Sequence, residues 1–174
     1  MRFLPTKLPG VVIIEPETAA DERGFFARTW CAAEFETHGL NPRLAQCSIS
    51  FNHKRGTLRG MHYQAAPHDE AKLVRVTRGA IHDVALDLRP HSATFGRHIA
   101  TDLTADNRRM LYIPEYVAHG FQTLTDDAEV FYQISVPYDG PSSRGVRHDD
   151  PAFAIVWPLP VTVISEKDRC YPLR

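Results

Sequence analysis

Residues Gly56–Gly79 read GTLRGMHYQAAPHDEAKLVRVTRG. Turn glycines bracket the stretch, and two segments of strand length, Leu58–Gln64 and Lys72–Thr77, flank a loop at Ala65–Ala71. Side chains alternate between faces along a strand, so His62 and Gln64 share one face. Lys72 opens the second segment. Taken alone, a histidine on a strand is more often a hydrogen-bonded core residue than a functional one. Three polar side chains brought to one interior are another matter, because burying them is expensive unless they are used.

Outward from this stretch the same punctuation continues. Val11–Glu15, Phe25–Trp30, Leu44–Phe51, Gly79–Leu88, His98–Leu103, Met110–Ile113, Gly120–Thr125 and Ala128–Val136 all read as strands. Asp126-Asp127 reads as a hairpin turn between the last two. Only Cys31–His38 shows clear helical spacing, with Gly39 as its stop. Ser165 is placed to cap a short turn near Asp168. Many short strands between turns predict an all-β sandwich or barrel, with one short N-terminal helix and a short C-terminal segment. No linker interrupts it, so residues 1–174 are expected to form a single domain.

Composition narrows the function classes. At 174 residues and 43% hydrophobic, the chain suffices for one full core. A formal net charge of -1 gives no case for nucleic acid or an acidic membrane surface. No apolar run has the length of a membrane span, and the first ten residues, MRFLPTKLPG, lack the apolar stretch of a signal peptide. Cys31, Cys47 and Cys170 are odd in number and scattered, which suggests reduced thiols in a cytoplasmic protein.

The Gly56–Gly79 stretch resembles the first motif of the cupin jelly-roll, with His62 at its first histidine, Gln64 at its second and Lys72 at its glutamate. Ile113–His119 resembles the second motif; it keeps the last histidine as His119 and has Tyr116 where glycine is usual. Two of four ligands remain, and an ammonium repels a divalent cation. A pocket without a metal is therefore expected, in which the Lys72 charge does a metal's electrostatic work.

The resemblance extends further. DERGFF (21–26), GTLRGMHYQ (56–64), KLVRVTRG (72–79), YIPEYVAHGF (112–121), FYQIS (131–135) and SEKD (165–168), in this order, are similar to the dTDP-4-dehydrorhamnose 3,5-epimerase family. That resemblance implies epimerisation beside the ketone of a nucleotide-linked 4-keto-6-deoxyhexose, with no cofactor or metal. Such chemistry needs a base on one face of the sugar, an acid on the other and a cation at the enolate oxygen. The family motif puts the base on His62, its carboxylate partner on Asp168, the enolate-stabilising cation on Lys72 and the acid on Tyr132. His119 lines the same pocket, and Arg23 and Arg59 hold the diphosphate. Phe26, Arg28, Gln46 and Tyr138 complete the implied substrate-binding set. Arg23 belongs to a segment that reaches the neighbouring subunit's pocket, which implies a homodimer.

One departure bears on the nucleotide. Arg28 stands where the family carries a glutamate that accepts the thymine ring N–H, and arginine has donors only. Ser48 replaces a usual asparagine. Thymine, cytosine and guanine therefore all stay open as the base. A 3,4-ketoisomerase on the same fold and a non-catalytic sugar-nucleotide-binding protein are the competing readings.

Overall fold

The computed structural model describes residues 1–174. In chain order its elements are β1 (Arg2–Pro5), β2 (Val12–Glu15), β3 (Thr18–Asp21), β4 (Gly24–Ala27), α1 (Ala32–Thr37), β5 (Gln46–Asn52), β6 (Leu58–Gln64) and β7 (Lys72–Arg78). There follow β8 (Ala80–Asp87), β9 (His98–Thr104), β10 (Met110–Ile113), β11 (Val117–Thr123), β12 (Ala128–Ile134), β13 (Ser143–Gly145) and α2 (Glu166–Arg169). Two antiparallel sheets face each other. One runs β1-β2-β10-β7-β12-β5, the other β13-β6-β11-β8-β9, and β3–β4 is a separate hairpin. The expected cupin-like sandwich is the observed one.

The sheets hold together because alternation sends one set of side chains from each into a shared interior. Val74, Val76, Leu111 and Val130 come from one sheet and meet Ile81, Ala85, Val117 and Phe121 from the other. Each of these side chains larger than alanine contributes about 1.5–3 kcal/mol by leaving water. The outer faces are partly covered too. Phe35 of α1 packs with Ile14, Leu73 and Tyr112 over one sheet, and Val146 and Phe153 pack on Val84, Leu86 and Met61 over the other.

The predicted hairpin at Asp126-Asp127 does not form. β11 pairs with β6 and β8, whereas β12 pairs with β5 and β7 in the opposite sheet. The turn carries the chain across the sandwich, with Asp127 at φ 49°. Gly79, at φ 75°, does the same between β7 and β8, where an added Cβ would run into the Thr125 hydroxyl. β11 also begins at Val117 rather than Gly120, so His119 lies within a strand. β1, β3 and β13 were not expected from the sequence, and the strand predicted at Phe25–Trp30 is the shorter β4. Tyr116 has φ 61°, the left-handed geometry for which the motif ordinarily uses glycine.

At the far end of β8 the buried Asp87 accepts hydrogen bonds from Arg89, Ser92 and Thr94. Burial alone would raise its carboxyl, but these bonds outweigh it and hold the group well below the usual carboxylate range. The loop after β8 is fixed by this one buried charge.

Candidate active site

Strict alternation on β6 would send Arg59 and His62 to opposite faces. They share one face because the strand bulges: Arg59 lies opposite Phe121 and His62 opposite His119, so two residues of β6 face the single Gly120. Glycines make the bulge possible. Gly60 has φ 124°, and a Cβ there would lie 2.5 Å from Gly120 Cα and 2.8 Å from the His119 carbonyl oxygen.

Beside this bulge a cavity of about 520 Å³ lies between the sheets. His62 and His119 come from the five-stranded sheet, Lys72 and Tyr132 from the six-stranded one, and Asp168 and Lys167 from α2. Ser48, Ile49 and Ser50 line one side, and Arg59 and Tyr138 also border it.

His62 Nε2 lies 2.6 Å from Asp168 Oδ1. With that nitrogen donating to the carboxylate, Nδ1 keeps its lone pair. Asp168 is only 3% exposed, and its other oxygen accepts the Gly60 N–H at 3.2 Å. Burial works to raise this carboxyl, but the His62 and Gly60 hydrogen bonds prevail and the group is lowered. Ser165 accepts the Asp168 backbone N–H at 3.1 Å, the cap expected from the sequence.

Across the cavity, the Tyr132 phenol is pushed strongly up, first by burial and then by the negative charge of Asp83. It holds its proton throughout the physiological range. Lys72 is 8% exposed and pairs at 2.5 Å with Glu70, which is equally hidden. A buried ammonium needs such a partner to offset its lost hydration. His119 Nε2 sits 2.5 Å from the fully buried Asp83 and its ring packs edge-on to Tyr132. Neither Glu70 nor Asp83 was singled out from the sequence. Asp83 falls inward by the alternation of β8, and that was the available signal. Glu70, in an irregular loop, carried none.

Gln64 differs from expectation. It shares the inner face but takes no part in the cavity wall. Its amide donates to the His68 and Pro137 carbonyls and accepts from the Asp139 N–H, tying two loops together. Gln46 likewise accepts the Tyr138 backbone N–H at 2.9 Å, which sets the exposed Tyr138 ring at the rim. Arg59 donates from Nε to Asn52 at 2.7 Å.

The remaining predicted residues do not line the cavity of their own chain. Arg23 sits at the tip of the β3–β4 hairpin, paired with Asp21, and Phe26 on β4 is 79% exposed. Arg28, just past β4, donates to Glu34 of α1 at 2.8 Å. No three histidine, cysteine or carboxylate side chains converge in a metal-ligating cluster.

Comparison with known proteins shows the family of the chain. Residues 5–174 match the family model described as dTDP-4-dehydrorhamnose 3,5-epimerase. The chain is 45% identical to dTDP-4-dehydrorhamnose 3,5-epimerase of Methanothermobacter thermautotrophicus, over 99% of this chain and 95% of that one. Among solved structures it superposes with a TM-score of 0.96 on the enzyme of that name from Elizabethkingia anophelis, at 38% identity over 99% of this chain and 96% of that one. With the Bacillus anthracis enzyme, crystallised with TDP and PPi bound, the TM-score is 0.95 at 36% identity, over 99% of both chains. A match over nearly the whole chain, at such identity and on the same fold, has one meaning: this chain belongs to the dTDP-4-dehydrorhamnose 3,5-epimerase family.

Proposed function

We propose that the chain epimerises a dTDP-linked 4-keto-6-deoxyhexose by removing and returning protons beside the ketone. The observation that carries this is the facing of His62, paired with Asp168 of α2, on one sheet and Tyr132 with Lys72 on the other, across a single cavity. Inversion requires a proton to leave one face of the sugar and return to the opposite one. His62 takes the proton on Nδ1, and Asp168 stabilises the imidazolium that results. Lys72 stands at the developing enolate oxygen, where a buried, fixed cation acts more strongly than one in bulk water. Tyr132 returns a proton from the other side. His119, held by Asp83, offers its second ring nitrogen to the sugar. Arg59 and Lys167 at the border suit the diphosphate.

The homodimer belongs to the same proposal. Arg23 and Phe26 project from a hairpin that does not line its own cavity, and Phe25, Ile49 and Phe51 are exposed apolar side chains. A second copy would cover these side chains and receive the hairpin. No helix is long and apolar enough to cross a membrane, and three unpaired cysteines, two of them exposed, suit a reducing cytoplasm. Of the two residues that raised other bases, Arg28 is turned to Glu34 and away from its own cavity, while Ser48 lines the cavity; dTDP is the base we adopt, and the CDP sugar is its control.

Deuterium uptake tests the reading. The protein is mixed with dTDP-4-keto-6-deoxyglucose, or with its CDP analogue, in heavy water, and C3 and C5 are followed by NMR. Uptake at both carbons with the dTDP sugar is expected. Uptake at one carbon reduces the activity to a mono-epimerase, uptake with the CDP sugar alone overturns the dTDP assignment, and uptake with neither overturns the proposal.

A further inference from the structure

His62 has an unusual neighbour. Its cross-strand partner, directly opposite on β13, is Gly145. Residues opposite each other in an antiparallel pair present their side chains to the same face, so a side chain at position 145 would stand beside the imidazole. That place is taken instead by Tyr171. An added Cβ on Gly145 would fall on the Tyr171 ring. The ring lies at a 64° angle to the His62 imidazole with 6.2 Å between centroids, an edge-to-face contact. Tyr171 follows Asp168 by three residues, so one short C-terminal segment supplies both contacts of the imidazole.

The tyrosine hydroxyl does not explain this placement. Tyr171 Oη is buried and makes no well-formed hydrogen bond; its nearest polar influence is the Lys167 ammonium, which works against the effect of burial. Burial pushes its phenol up, so it carries no charge to offer His62. What the residue supplies is the flat, rigid edge of its ring. The Asp168 hydrogen bond fixes one nitrogen of the imidazole but leaves the ring free to swing about that bond. A second contact away from the hydrogen bond removes that freedom.

We propose that Tyr171 is a positioning residue for the base, its ring filling the space left by Gly145 and clamping the His62 imidazole at the angle set by Asp168. The inference rests on His62 being the base, as argued above. Positioning acts on the transition state, where displacement of a reacting group by an ångström can lower the rate by about 100-fold.

The test measures kcat and KM for deuterium uptake by Tyr171→Phe, Tyr171→Ala and Tyr171→Leu, with His62→Ala alongside. The clamp predicts that Tyr171→Phe keeps kcat within about 2-fold, while Tyr171→Ala loses about 10-fold or more in kcat with KM nearly unchanged. Tyr171→Leu, which restores bulk without an aromatic edge, is expected to resemble Tyr171→Ala and stands in for it if the alanine variant melts early. The proposal is overturned if the alanine or leucine variant keeps the parent kcat, if the loss falls on KM alone, or if phenylalanine fares as badly as alanine. Retained uptake by His62→Ala overturns the base assignment and the clamp with it. A dead His62→Ala beside an unaffected Tyr171→Ala overturns the clamp alone.

Discussion

At the scale of single residues, the cavity couples chemistry to stability through Lys72 and Glu70. Both are buried, and they pair at 2.5 Å. Removing one partner of such a pair leaves the other uncompensated and typically destabilises by about 3–5 kcal/mol. Lys72→Met alone would therefore lose activity for two reasons at once. Combining it with Glu70→Gln removes both charges and separates the effects. The double variant is expected to recover most of the melting temperature that Lys72→Met forfeits, while kcat stays about 100–1,000-fold below the parent. Thermal melts and turnover with the dTDP sugar, measured on the parent, Lys72→Met and the double variant, decide it. Recovery of turnover along with stability would remove Lys72 from the enolate. Glu70 also shows where residue-scale reading of the sequence ends. His62, Lys72, Tyr132 and Asp168 sit in recognisable motifs, whereas Glu70 acquires its role only because loop 65–71 folds back on β7.

At the scale of elements, alternation and turn residues made β6 and β10 legible to their end residues, and α1 within one residue at each end. They did not reveal which strands pair. Asp126-Asp127 has hairpin chemistry, yet β11 and β12 separate into different sheets because each finds better partners in β6, β8, β5 and β7. Local propensity carries no information about such long-range pairing. The bulge in β6 was hidden for the same reason. It exists only relative to β11, and without it Arg59 would point away from the cavity. Gln64 was misjudged from the opposite side: the alternation that puts it inward is right, but the loops it ties were unknown. The bulge makes its own prediction. Gly60→Ala places a Cβ against Gly120 and the His119 carbonyl at a left-handed φ. Strain of this kind costs about 1–3 kcal/mol, and for a chain of this size each kcal/mol lowers the melting temperature by roughly 2–4 °C. A Gly60→Ala melting temperature equal to the parent's would mean that the strands need not approach so closely.

At the scale of the whole molecule, the hairpin carrying Arg23 and Phe26 is the part that a single chain does not account for. Both side chains are mostly in water, and Arg23 has no partner beyond its own Asp21. If they complete the pocket of a second copy, then each site is built from His62 of one chain and Arg23 of the other. Two inactive variants then repair each other. A His62→Ala chain lacks the base but still lends Arg23, and an Arg23→Ala chain lacks the arm residue but keeps His62. In a mixed dimer, the pocket of the Arg23→Ala chain receives an intact hairpin and holds an intact base, so one of its two sites is complete. Random exchange of equal amounts makes about half of the dimers mixed, which returns about a quarter of the parent rate. Each variant alone stays near zero. The measurement is turnover after co-expression of the two chains, with sedimentation confirming the dimer. If the mixture stays as inactive as its components while mixed dimers form, Arg23 serves the pocket of its own chain and the hairpin must fold back. If no dimer sediments at all, the exposed Phe26 needs another explanation.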